Sequence, residues 1–161
     1  MPNTEASRYI HVVAAVVRDP KNSQSIFITR RQPGQHLENL WEFPGGKVER
    51  NESRFHALRR ELLEEIGIHV ISARPFQTVF HRYKDKNIHL DVWEVIDFEG
   101  KAHGRENQQV SWVALSELTN YEFPAADQAV LKALLLPSEL LITPEFPKHD
   151  LDSNVAHFSR L

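Results

Sequence analysis

Between Gly45 and Ile68 the chain runs from a glycine pair into a segment whose apolar residues Phe55, Leu58, Leu62 and Ile66 recur at helical spacing. Asn51 is placed to cap that helix and Gly67 to end it. The stretch EFPGGKVERNESRFHALRRELLEEIG also holds Glu42, Glu49, Glu52, Glu61, Glu64 and Glu65. With about 100° per residue, Glu61, Glu64 and Glu65 project within about 100° of arc beside the apolar stripe. Like charges at this spacing each cost a helix a few tenths of a kcal/mol, and closer crowding raises a carboxylate pKa unless a cation neutralises it. A bound divalent metal accounts for such a wall, and all-oxygen ligands favour hard cations such as Mg²⁺. A charge run alone is usually a solvated helix face, but the flanking residues argue otherwise. The glycine pair lets the main chain turn tightly and offer a carbonyl to the acidic wall. Arg60 carries a fork able to hold Glu52 or Glu61 in one orientation.

The rest of the chain reads as strands around two helices. YIHVVAAVVRD (9–19) suits a strand buried on both faces. SIFITRR (25–31) sets Ile26 and Ile28 on one side, Phe27 and Thr29 on the other. Residues 76–98 read as an antiparallel hairpin about the turn KDKN, with Ile88, Leu90 and Val92 facing inward. VSWVAL (110–115) is a short strand, and DQAVLKALLL (127–136) has helix-forming composition. This order predicts an α/β fold with a mixed sheet and helices on both faces. Residues 1–136 are expected to form one domain, with 137–161, rich in proline, a linker or the start of another.

With 19 basic and 22 acidic residues the net charge is −3, so there is no basic field for a nucleic-acid polymer or an anionic membrane. The absence of cysteine removes disulfides, thiolate metal sites and thiol nucleophiles. No signal-like run opens the chain and no long apolar span interrupts it, so a cytoplasmic, monomeric protein is expected. His81, His89 and His103 lack metal-ligand spacing and are read as exposed or hydrogen-bonded structural residues.

Gly46, five residues, Glu52, seven residues, Arg60-Glu61-Leu62, Glu64-Glu65 and Gly67-Ile68 together resemble the Nudix box, GX5EX7REUXEEXGU with U apolar, at every defined position. IFITRR, LWEFPGGKVE and FPAAD resemble segments of the MutT-like branch, over about Tyr9 to Leu136. The resemblance implies the Nudix α/β/α sandwich and Mg²⁺-dependent hydrolysis of a nucleoside triphosphate to monophosphate and pyrophosphate, with Mn²⁺ as a substitute. It implies that Glu64, Glu65 and the Gly45 carbonyl bind metal, and that Glu61 binds metal or acts as the base on water. Glu106 is the candidate for a further carboxylate from the late loop. Arg60 joins Glu61 and Glu64 as a catalytic candidate. The chain has no GxxxxGK[ST] loop, so metal ions must do the phosphate-neutralising work a P-loop does elsewhere. LPSELLITPEF resembles the opening of a thiamine-phosphate-synthase-like domain, a second activity that 25 residues cannot supply.

In the MutT-like branch the base lies near the EFP and FPxA segments, which makes Phe43 and Phe123 candidate apolar walls. Arg31, His36 and Lys86 are candidate substrate-binding residues, Lys86 standing where the branch can carry arginine. The branch often has asparagine where this chain has Asp127. An amide donates to guanine O6 while accepting from the N7 hydrogen of 8-oxoguanine; an ionised aspartate only accepts, unless it is protonated or turned away. The leading expectation is therefore 8-oxo-dGTP, with CTP or a modified pyrimidine triphosphate as the alternative and a non-catalytic nucleotide-binding module as the reading from another class. Asp127 as a helix N-cap is its bland reading.

Overall fold

A computed structural model describes residues 9–136. The tail, with the domain boundary and second-domain resemblance assigned to it, lies outside the described residues. The centre of the fold is β1 (Tyr9–Asp19), which pairs antiparallel with β2 (Asn22–Arg30) and parallel with β6 (Asn87–Glu99). β5 (His69–Arg82) lies outside β6 and antiparallel to it. The two-residue β3 (Trp41–Glu42) and β7 (Val110–Ala114) pair with β2, and β4 (Gly45–Lys47) pairs with β1.

Buried on both faces, β1 sends Val13, Ala15 and Val17 to one side and Ala14 and Val16 to the other. The first set packs under α1 (Arg54–Ile66), which buries Ala57, Leu58, Leu62 and Ile66. The second packs under α2 (Gln128–Leu135) through Val130, Leu131 and Leu134. The continuous apolar run of β1 thus has its physical cause: helices cover both faces of the sheet. Ile26 and Ile28 join the α2 side and Phe27 the α1 side, as the alternation predicts.

Two boundaries differ from expectation. The α1 cap is Ser53, whose hydroxyl accepts from the His56 N–H at 3.2 Å, whereas Asn51 is a left-handed turn residue at φ 65°. Asp127 precedes α2, but its backbone is already helical and its carboxyl makes no capping hydrogen bond. The capping reading of Asp127 is thereby corrected. The hairpin is longer than 76–98, because β5 continues through Pro75 as an edge strand with irregular register there. Gly67 ends α1 in the left-handed conformation, its N–H directed to Leu62 and Leu63. Among the described residues no helix is long and apolar enough to cross a membrane.

Candidate active site

The loop after β4 and the helix α1 are locked by Arg60. Its guanidinium donates to both Glu52 oxygens (3.0 and 2.9 Å), to Glu61 Oε1 (2.7 Å), to Glu64 Oε2 (3.4 Å) and to the Lys47 carbonyl (3.0 Å). The Arg60 hydrogen bonds, helped by the Glu49 N–H, hold the Glu52 carboxyl down at a pKa of about 2. Arg60 therefore holds both carboxylates between which the sequence left a choice, and Glu52 is a brace outside the acidic wall.

Glu61 packs beneath Gly46, where a Cβ would collide with its carboxylate. Burial pushes its pKa up against the pull of Arg60, and the charges of Glu64 and Glu106 push the same way. Glu65 accepts a hydrogen bond from the Gly45 N–H at 2.8 Å. Burial first, then the charges of Glu42 and Glu106, raise its pKa to about 7 against the pull of Gly45. The expectation at Gly45 concerned its carbonyl; its N–H is the group in contact with Glu65.

Glu106 reaches the wall because the late loop is stitched to the C-terminal turn of α1. The His103 and Arg105 N–H groups donate to the carbonyls of Ile66 and Glu65, both at 3.0 Å. The Arg105 side chain caps Leu63 at 2.7 Å and the Gln108 amide caps Glu65 at 2.9 Å. These donors occupy carbonyls that a helix end leaves orphaned. Gln108 in turn accepts from the Glu106 N–H at 2.8 Å, and the Gln32 amide holds the Glu106 carbonyl. Sequence reasoning missed both glutamines, and no local signal marks them, since their partners lie in distant elements.

One cavity of about 340 Å³ joins Gly45, Glu61, Glu65 and Glu106 to Arg31, His36, Phe43, Lys86 and Asp127. Three candidates stay out of it, the first being Arg60, which braces Glu61 from behind. Glu64 points outward from α1 with its side chain 56% exposed, and Phe123 packs behind Phe43 at a ring distance of 5.4 Å, so only Phe43 is a wall. Arg31 is held by Glu42 and donates to the His36 carbonyl at 2.6 Å. Glu42, to which the sequence assigned no role, is thus the anchor of Arg31. The His36 ring meets Tyr83 edge-on at 5.6 Å, and the Tyr83 hydroxyl accepts from the Ala126 N–H at 3.2 Å. This contact ties the loop before α2 to the hairpin turn. Asp127 is 7% exposed, and burial and the Glu42 charge raise its pKa to about 7, against the pull of Arg31.

The donor set fits a hard divalent cation: the carboxylates of Glu61, Glu65 and Glu106 line one cavity beside the Gly45 peptide, whose N–H answers Glu65. His89 joins His11 and Asp91 in a separate group, a proximity that spacing did not reveal. The two imidazoles stack in parallel, 4.2 Å apart and 4° inclined. Their nitrogens therefore lie side by side against Asp91, which also receives Thr78 at 2.8 Å and Arg54 at 3.3 Å. That arrangement is a hydrogen-bonded ion-pair network.

Residues 13–133 match the NUDIX domain family. The chain belongs to that family. It is 36% identical over 125 residues to the 8-oxo-dGTP diphosphatase of Escherichia coli K12, covering 78% of this chain and 95% of that protein. It is also 36% identical over 129 residues to the CTP pyrophosphohydrolase of the same organism, covering 80% and 93%. A solved structure from a study of MutT from Aliivibrio salmonicida and Vibrio cholerae superposes with a TM-score of 0.69 at 41% identity, covering 80% of this chain and 98% of that one. The expected Nudix fold, with its mixed sheet between helices, is therefore the fold found.

Proposed function

We propose that this Nudix hydrolase acts in the cytoplasm on 8-oxo-dGTP, adding water to give 8-oxo-dGMP and pyrophosphate, with Mg²⁺ as its metal. The observation that carries this reading is Asp127, a carboxyl whose burial, with the Glu42 charge, raises its pKa to about 7 in the cavity that also holds the acidic wall. Its neutral form has one donor and one acceptor, the pair an asparagine amide would present to O6 and the N7 hydrogen of 8-oxoguanine. The mismatch between aspartate and an oxidised purine thus disappears when burial keeps the carboxyl protonated.

Glu61, Glu65, Glu106 and the Gly45 peptide would hold the metal from within the cavity, and Glu64, which shares Arg60 with Glu61 outside it, would join them; the metal when bound supplies charge neutralisation for the phosphates and the attacking oxygen. Glu61 is the candidate base, and Arg60 orients it as a positioning residue. Lys86, Arg31 and His36 meet the nucleotide from the opposite wall, and Phe43 lies against the base.

The ionised form of Asp127 favours a second substrate class, because a carboxylate accepts from an exocyclic amino group such as that of cytosine. The 36% identity to a CTP pyrophosphohydrolase accords with that reading. Pyrophosphate release is therefore to be measured for 8-oxo-dGTP, dGTP, CTP and 5-methyl-dCTP at about pH 6 and about pH 8, either side of the Asp127 titration. The kcat/KM ratio of 8-oxo-dGTP to CTP is expected to fall about tenfold as pH rises in the wild type and to stay level in Asp127→Asn. A ratio equally flat in both proteins would remove Asp127 from base recognition. No Mg²⁺-dependent release from any of these would instead favour a binding module. Chelating the metal with EDTA should abolish turnover, and excess Mg²⁺ should restore it.

A further inference from the structure

Thr29 is 1% exposed, and its hydroxyl is buried with no completed hydrogen bond. Strand alternation puts it on the α1 side of β2, two residues from the fully packed Phe27 and in register with Val110, which packs against the same core. On packing alone valine would serve there, because a buried hydroxyl without a partner is unfavourable. The polar group within its reach on that side is the carboxylate of Glu65, carried by α1. A donor to Glu65 is the Gly45 N–H, which engages Oε2 at 2.8 Å.

We propose that Thr29 is a positioning residue for the metal centre, its hydroxyl donating to the Glu65 carboxylate and fixing the orientation in which that carboxylate grips a divalent cation. The inference rests on the reading of Glu65 as a metal ligand. A ligating carboxylate commonly needs such a support, and the loss of one typically weakens metal binding about 10–100-fold. Glu65 would then be braced from two sides, by the β4 peptide and by the β2 hydroxyl.

Mn²⁺ binding followed by electron paramagnetic resonance, without nucleotide, tests this on wild type, Thr29→Val, Thr29→Ser and Glu65→Gln. Thr29→Val is expected to bind Mn²⁺ about tenfold more weakly while melting at or above the wild-type temperature, and Thr29→Ser to stay within about twofold of wild type. A purely packing role gives the opposite order, since serine loses the methyl and valine keeps the shape. Thr29→Val within about twofold of wild type, with Glu65→Gln clearly weakened, overturns the role of Thr29 alone. Equal weakening in the valine and serine variants also overturns it. Unchanged binding in Glu65→Gln overturns the metal-ligand reading on which it rests.

Discussion

Glu61→Gln and Glu65→Gln are each expected to lower kcat by roughly 10²–10⁴-fold while leaving the fold in place. Each substitution removes one charge and almost no volume, from side chains anchored by groups that a glutamine can still partly satisfy: Arg60 and the Gly46 wall for Glu61, the Gly45 N–H for Glu65. Stability should move the other way at Glu65. Its folded pKa of about 7 lies above the ordinary 4.5, so the unfolded chain ionises first as pH rises. Below the ordinary value this group contributes no penalty; the penalty grows as pH rises toward the folded pKa and is complete above it. Without metal, Glu65→Gln should therefore melt higher than the wild type at about pH 8 and alike at about pH 4. Added Mg²⁺ should close that gap by stabilising the wild type and not the variant, because a ligand that binds only the folded state raises its stability. A variant that turns over normally, or a wild type whose melting ignores Mg²⁺, would remove Glu65 from the metal site.

The same residues show where sequence reasoning reaches and where it stops. Glu61, Glu65, Arg60 and Gly46 were legible because their relation is set by one helix and the turn before it, and helical spacing turns sequence separation into an angle. The two faces of β1 were legible for a similar reason, since only a strand covered on both sides stays apolar throughout. The α1 cap was missed by two residues because Asn51 and Ser53 are both good caps; only the backbone shows that Asn51 turns left-handed before the helix begins. Gln32 and Gln108 were invisible because their meaning depends on a loop folding back across about 40 to 70 residues of sequence. Asp127 was readable as a departure from a pattern, but its chemistry was not. Whether a carboxyl donates or only accepts is decided by burial and by the charge of Glu42, which belongs to another strand.

Gly45→Ala and Gly46→Ala, adjacent and chemically identical changes, are expected to fail in different ways. A Cβ on Gly45 would run into the Val13 carbonyl and come within 2.7 Å of the Ala14 Cα, both main-chain atoms of β1. That strand is pinned between β2 and β6 and cannot yield, and Gly45 also has φ 155°, which side-chain-bearing residues avoid. Gly45→Ala should therefore cost about 3 kcal/mol or more, seen as a large drop in Tm or as insoluble protein. A Cβ on Gly46 meets only the end of the Glu61 side chain, and the Gly46 backbone needs no positive φ. A flexible carboxylate can swing aside, so Gly46→Ala should melt near the wild type yet lose roughly 10²-fold or more in kcat, as Glu61 leaves its place beside the cavity. Circular-dichroism melts paired with turnover separate the two outcomes. Normal turnover in a folded Gly46→Ala would show that the Glu61 position beneath this glycine is not the one in which it works, and a stable Gly45→Ala would show that β4 has more room against β1 than its pairing allows.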